Sequence, residues 1–424
     1  MKKTLLRVAV AAASLAAASQ AQALTFVLNS TINTSTLNGS KALQGFQIAA
    51  AYWSSVLTDN VSVNLNIGFQ TLGAGVLAQA GSASTLLSIN QTYNLLNADR
   101  TTALDNIAVA NLAPQSGPGL NTATGLSGAI AFNANGFANG TNGAGGYTDT
   151  TIRFDNDGSV NNIGLSITKA SAKALGATRN VNNQLINYAS PDAAITFSDT
   201  FAFDFDPTDG IDANAFDFIG VAIHEIGHAL GFISGVDTYD AYTSPGATDP
   251  VVRNAQGQVV ATGLEGFLVG SQLDLFRYSA PGVVDWSTQG TAYFSIDRGA
   301  TQLFGDSRFA MGRLNGDGQQ ASHFKDSAPG APQLGNLDPT SGRGQLQDVT
   351  ALDLAAFDAL GWNVNFDVLQ NSGYRYTTAS AFRAFAAANP AVPEPATWAM
   401  MIAGFGFVGG AMRAQRRRTS VSFA

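Results

Sequence analysis

The chain has 424 residues, 45% of them hydrophobic and 12% charged, which is enough to bury one large core or two moderate ones and excludes wholesale disorder. Its 45 glycines imply many turns, and a polar surface built from Ser, Thr, Asn, Gln and Gly rather than charge suits an exported protein. The absence of cysteine excludes disulfides, thiolate metal ligands and a cysteine nucleophile, while a net charge of −8 argues against a nucleic-acid partner.

The charge is unevenly placed. Lys2, Lys3 and Arg7 stand at one end; Arg413, Arg416, Arg417 and Arg418, offset by Glu394, stand at the other. Each end carries +3, which leaves −14 on the residues between. At the N-terminal end the basic residues precede an apolar run over residues 8–18 and the small residues Ala21-Gln22-Ala23. That order predicts a signal peptide over residues 1–23, removed by signal peptidase; a buried N-terminal helix is the alternative.

Residues 24–28 read as a first strand. Residues 42–57 carry apolar positions at helical spacing, among them Phe46, Ala49, Tyr52, Trp53 and Val56, and Trp53 is expected in the core. Alternation over residues 61–69 predicts a second strand, so the chain opens strand, helix, strand. The Asn- and Gly-rich residues 133–146 read as a loop, 167–175 as a helix and 193–197 as a strand. Asp204, Asp206, Asp209 and Asp212 then crowd a Gly-containing turn before the next helix. Calcium is one reading of these oxygens, although the spacing is not that of an EF-hand; capping and dipole compensation at a helix N-terminus are the other.

Residues 216–230 form an apolar helix that must be buried, yet it holds His224-Glu225-Ile226-Gly227-His228. Only three histidines (His224, His228, His323) and three glutamates (Glu225, Glu265, Glu394) occur in the chain, so chance seldom produces this pattern. Positions i and i+4 project together, and two imidazoles can share one zinc ion while Glu225 sits beside them as general base. Burying two imidazoles and a carboxylate without a metal would need other compensation. Zinc hydrolases take three protein ligands, so a third must come from elsewhere. His323 is the remaining histidine; Glu265 and Asp237 are the alternatives.

The segment His228-Ala229-Leu230-Gly231-Phe232 resembles the metzincin zinc proteases, in which a glycine three residues after the second histidine turns the chain. The next metzincin ligand would fall at Ser234, a poor ligand for zinc. The remote His323 is similar in spacing to leishmanolysin-like members, where an insertion precedes the last histidine. Metzincins also carry a methionine turn beneath the metal; Leu337, in Gly335-Asn336-Leu337-Asp338-Pro339, has the turn character and distance to take that place. Residues 348–362 should hold a helix capped by Thr350, with Asp353 at its third position and Gly361 closing it. The resemblance implies an α+β, metzincin-like catalytic domain over residues 24–387: a twisted mixed sheet packed on the active-site helix, with a long insertion before the third ligand.

Residues 388–424 read as a tail. Val392-Pro393-Glu394-Pro395 precedes an apolar stretch, 396–412, and the arginine cluster. At about 1.5 Å per residue this stretch reaches roughly 25 Å, a short transmembrane helix with its basic end in the cytoplasm. It resembles the PEP-CTERM sorting signal of Gram-negative bacteria, which implies an exosortase-type partner, transient membrane anchoring and release to the cell surface or matrix; a plain C-terminal anchor is the alternative. Together these features predict an exported zinc endopeptidase acting on protein or peptide substrates. The competing expectations are a surface or matrix structural protein that keeps the fold without turnover, and hydrolysis of a non-peptide amide.

Overall fold

A computed structural model describes residues 24–115, 128–135, 151–243, 251–253, 259–262, 264–328 and 331–390, with Phe405, Phe407 and Val408. The chain opens with β1 (Thr25–Ser30), α1 (Leu37–Val56) and β2 (Ser62–Gln70), then β3 (Ala78–Ser82), β4 (Ser84–Ser88), α2 (Ile89–Asp99) and α3 (Ala103–Ala110). It continues through β5 (Phe132–Asn135), β6 (Ile152–Asp155), α4 (Val160–Ile163), β7 (Gly164–Thr168), α5 (Lys169–Ala174) and β8 (Ala193–Ser198). Two short strands, β9 (Phe203–Asp204) and β10 (Phe216–Asp217), lead into α6 (Phe218–Leu230) and then α7 (Val236–Tyr242). A long excursion carries β11 (Val251–Arg253), β12 (Val259–Thr262), β13 (Arg277–Ala280), β14 (Val283–Val284) and β15 (Tyr293–Phe294). The chain returns as β16 (Asp348–Thr350), α8 (Ala351–Ala359), β17 (Arg375–Thr377) and α9 (Thr378–Ala388).

The result is a mixed α+β molecule with one principal sheet and several small ones. The principal sheet runs β1-β2-β8-β3, with β1, β2 and β8 parallel and β3 antiparallel at the edge. Parallel β1 and β2 need a crossover, and α1 supplies it. Thr36 caps that helix by accepting from the Gly39 N–H, and Phe46, Ala49, Trp53 and Val56 bury its inner stripe. In β2 the alternation places Val63, Leu65 and Ile67 inside.

The core converges on α6. Phe46 of α1, Phe197 of β8 and Phe218 of α6 meet with ring centroids 4.5–5.4 Å apart. Two buried tryptophans lock the helix through its carbonyls: the Trp53 indole N–H donates to the Ile223 oxygen (3.1 Å) and that of Trp362 to Leu230 (2.8 Å). Leu230 lies in the last turn, where a carbonyl has no helical partner, so Trp362 satisfies a group that burial would otherwise leave bare. Phe357 of α8 stands edge-on to Trp53 at 4.6 Å, and α8 carries the expected capping box of Thr350 and Asp353.

The sequence-based elements differ from the structure at several points, among them the start of α1, which lies at Leu37 rather than at Ala42. The helix expected over 167–175 begins only at Lys169, because Ile167 and Thr168 complete β7, paired with Thr85 and Ser84 of β4. The loop expected over 133–146 starts as strand β5, anchored by Phe132 stacked on Trp286 at 3.9 Å; residues 136–146 lie outside the described residues. The first strand extends to Ser30 rather than Leu28, following β2 along six register pairs. Phe216 and Asp217 belong to a short strand beside β9, and Asp217 is the N-cap of α6. The leader, 1–23, lies outside the described residues, as does the expected span 396–412 apart from Phe405, Phe407 and Val408. Among the described residues no helix is long and apolar enough to cross a membrane.

Replacing Trp53 with Ala removes a fully buried indole and its hydrogen bond to α6. Urea denaturation should show a loss of about 3–5 kcal/mol; a loss under 1 kcal/mol would mean that α1 does not support the helix as described.

Candidate metal centre

Helix α6 is fixed at both ends. At its start the Asp217 carboxylate accepts from the Gly220 N–H (3.0 Å), and its other oxygen accepts from the Gln347 N–H (3.1 Å) and the Thr378 hydroxyl (2.5 Å). At its end Gly231 takes φ 124°, a conformation that favours glycine, and the chain folds back so that the Phe232 N–H reaches the Gly227 carbonyl. The turn presents the Phe232 carbonyl to His228, whose Nδ1 lies 2.6 Å away.

Each of the three histidines makes this kind of bond. His224 Nδ1 lies 2.7 Å from the Asn336 carbonyl, His228 Nδ1 2.6 Å from Phe232 and His323 Nδ1 3.1 Å from Gln320. A carbonyl only accepts, so each Nδ1 carries the hydrogen and each Nε2 keeps its lone pair. The three Nε2 atoms converge, 3.0 Å apart for His224 and His228 and 3.2 Å from each of these to His323. Burial, reinforced by the neighbouring imidazoles, pushes His224 down to about 3 and His323 well below its ordinary range; burial also lowers His228. Three neutral acceptors then face one another with no hydrogen between them, an arrangement that a metal cation would relieve. A tetrahedral zinc with bonds of about 2.0–2.1 Å holds its nitrogens about 3.3 Å apart. The donor set fits it.

Glu225 lies beside this centre with 5% of its surface exposed, and its Oε2 is buried without a hydrogen-bond partner. Burial raises its carboxyl to about 8, and a divalent cation nearby would favour the ionised form. His224, Glu225, His228 and His323 line a cleft of about 870 Å³. The cleft is also lined by residues 75–81, which take in Ala78 to Gly81 of edge strand β3, and by residues 338–341. Leu77 O accepts from Ser198 N and Ala83 N donates to Asp192 O. Antiparallel alternation then turns the backbone groups of Ala78, Ala80 and Ser82 away from β8.

The floor and the remote ligand rest on side chains. Leu337 is fully buried, and a Cβ at Gly227 would lie 3.1 Å from its Cδ1, so Leu337 underlies α6 between the two histidine-bearing turns, where the sequence places a site floor. Asp353 of α8 grips that turn by accepting from the Asn336 and Leu337 N–H groups (2.9 and 3.0 Å) while burial holds its carboxyl up at about 6. It thereby fixes the carbonyl that orients His224. Asp237, one alternative third ligand, does not reach the centre as a ligand: its carboxylate accepts from the Ala321 N–H (2.7 Å), the Ser322 N–H (3.2 Å) and the Ser322 hydroxyl (2.5 Å). Ser234, where a compact third histidine would fall, donates its N–H to Ser322 Oγ (2.9 Å) and its hydroxyl to Asp274 (2.5 Å). Glu265, the other alternative, is in the turn Leu264–Gly266, but its side chain lies outside the described residues.

The calcium reading of Asp204, Asp206, Asp209 and Asp212 gains no support. Among the described residues the histidine trio is the group of three or more ligand-type side chains close enough to share one ion. Asp204 instead accepts from the N–H groups of Asp206 and Asp212, and Asp206 from Thr208, so these carboxylates cap the turn. Sequence reasoning missed Asp217, Ser322, β3 and the second role of Asp353 as the grip on the Asn336–Leu337 turn. Asp217 had a readable signal, an acidic residue directly before an apolar helix; the others had none.

The model of the PEP-CTERM protein-sorting motif matches residues 391–418. The tail is a sorting signal. It marks the chain as exported and sorted to the cell surface of a Gram-negative bacterium, and it implies recognition by an exosortase-type sorting enzyme. Comparison with curated proteins gives no match, nor does comparison with solved structures. The histidine trio therefore stands on its own geometry.

Elemental analysis of the purified chain should find one zinc per molecule. His323→Ala should lose that zinc on gel filtration, while Glu265→Gln keeps it; the reverse result would make Glu265 the third ligand.

Proposed function

We propose that this chain is an exported zinc-dependent endopeptidase, with His224, His228 and His323 as metal ligands and Glu225 as general base. The observation that carries the reading is the convergence of three Nε2 lone pairs at 3.0–3.2 Å, each ring set by a carbonyl on its Nδ1. A zinc ion held there supplies an electrophile that acidifies water and polarises a peptide carbonyl. Glu225 follows His224 on the helix, and its unpartnered Oε2 is placed to take the proton from water and return it to the departing amine.

The substrate class is supported by the cleft wall. The outward backbone groups of Ala78 and Ala80 in the cleft wall, with Ser82 just beyond it, offer an extended peptide a strand to pair with, which would position a scissile bond without reading its side chains. A peptide laid along β3 passes the end of α6 that bears His228, because Ser82 Oγ donates to the His228 carbonyl (3.2 Å). Leu337 preserves the packed floor with an apolar side chain in place of methionine, so the lost methionine does not by itself argue for an inert protein.

Glu225→Gln keeps the shape of the side chain but removes the base. Cleavage of a protein substrate such as casein should fall about 10²–10⁴-fold while one zinc per chain remains bound. A variant as fast as the parent contradicts the mechanism. A zinc-loaded parent that cleaves no member of a peptide library would instead favour the surface structural protein.

A further inference from the structure

We infer that Asp237 is the positioning residue for the remote third ligand, latching the His323 loop to α7 and so setting the affinity of the centre; this rests on the metal site proposed above. The question is what holds His323, which lies 99 residues beyond His224, in reach of the helix pair. On its C-terminal side the loop is tied by main chain. The Ala310 N–H donates to the His323 carbonyl (3.0 Å) and the Phe324 N–H to the Leu337 carbonyl (2.9 Å), bonds that side-chain substitution leaves in place.

The N-terminal side is different. There the donors Ala321 N–H, Ser322 N–H and Ser322 O–H all end on one carboxylate, that of Asp237. The hydroxyl that donates to Asp237 also accepts from the Ser234 N–H, which closes a ring from α7 through the loop and back to the segment leaving α6. The outer wall is the Arg277 guanidinium, which is 1% exposed, donates to the Ala310 carbonyl (2.8 Å) and faces the Asp237, Asp274, Asp285 and Asp317 charges. The Gln320 carbonyl that orients the His323 ring stands directly before the three latched donors. Without the carboxylate that side keeps the Gly312 N–H bond to the Gln319 carbonyl and the Ser234 N–H bond to Ser322 Oγ, but Ala321 N–H and Ser322 N–H, next to the carbonyl that orients the ring, lose their acceptor.

The same helix carries its own control. Asp240, one turn along α7, accepts from the N–H groups of Leu314 and Asn315 (2.8 and 2.7 Å), and so grips the same excursion nine and eight residues before His323. Both aspartates stabilise the excursion; only Asp237 adjoins the ligand.

The test measures zinc dissociation constants by competition with a chromophoric chelator, with melting temperatures and peptide cleavage at saturating zinc, for the parent, Asp237→Ala, Asp237→Asn and Asp240→Ala. Asp237→Ala should weaken zinc binding about 10–100-fold, with cleavage recovering as zinc is raised to saturation. Asp237→Asn, which keeps one acceptor, should fall between it and the parent. Asp240→Ala should lower the melting temperature but leave the zinc constant within twofold. Asp237→Ala binding zinc as the parent does would overturn the latch, and so would an equal loss in Asp240→Ala. A parent that binds no zinc overturns the proposed function together with the latch, whereas a parent that binds zinc but cleaves nothing overturns the function alone.

Discussion

Each of three imidazoles gives its Nδ1 hydrogen to a backbone carbonyl, and that constraint decides where every ring presents its other nitrogen. The three carbonyls come from separate parts of the chain: Asn336 from the turn under α6, Phe232 from the fold-back after Gly231, and Gln320 from the remote loop. None is free to move alone. Asp353 fixes the first, the positive φ at Gly231 fixes the second, and Asp237 with Ser234 borders the third. The surrounding packing therefore acts on the centre through orientation rather than direct contact. The burial it provides also disfavours charge on the imidazoles and so favours their neutral, accepting form.

A remote His323 changes what the fold must supply. A compact motif delivers all its ligands within a helix and the turn after it, whereas here the third arrives after an excursion with a small sheet of its own, β14-β13-β15. That excursion is gripped at two points by α7, which follows α6 closely and carries Asp237 and Asp240. Ser234, where the metzincin resemblance would place a third ligand, instead donates its N–H to Ser322 Oγ, on the residue beside His323. Its hydroxyl ends on the buried Asp274, which also accepts from Gly235 and Ser271. A short polar side chain suits that site, where a bulkier imidazole would displace the network.

Some of this was legible in the sequence and some was not, for physical reasons. His224, Glu225 and His228 are readable because helical spacing converts sequence distance directly into direction. His323 is readable only by scarcity. The capping box of α8 is local and appears as expected, yet the second role of Asp353, holding a turn 16 and 17 residues earlier, has no local signature. The Asp237 bonds span 84 and 85 residues and are invisible for the same cause. Strand β3, Ala-Gln-Ala-Gly-Ser, has no large apolar residue to alternate; its pairing with β8 comes from the backbone. At residues 167–168 the helical pattern lost to β-branched side chains that complete a ladder with β4. Of the two readings of the aspartates before α6, the structure shows the capping one at Asp204 and Asp206, whose carboxylates accept from turn N–H groups.

The central claim is the ligand set, and X-ray absorption at the zinc edge on the purified, metal-loaded chain addresses it directly. The account predicts outer-shell scattering from three imidazole rings, with nitrogen at about 2.0–2.1 Å and one further light-atom ligand not supplied by the protein. Scattering from two imidazoles, or a carboxylate in place of the third ring, would contradict it.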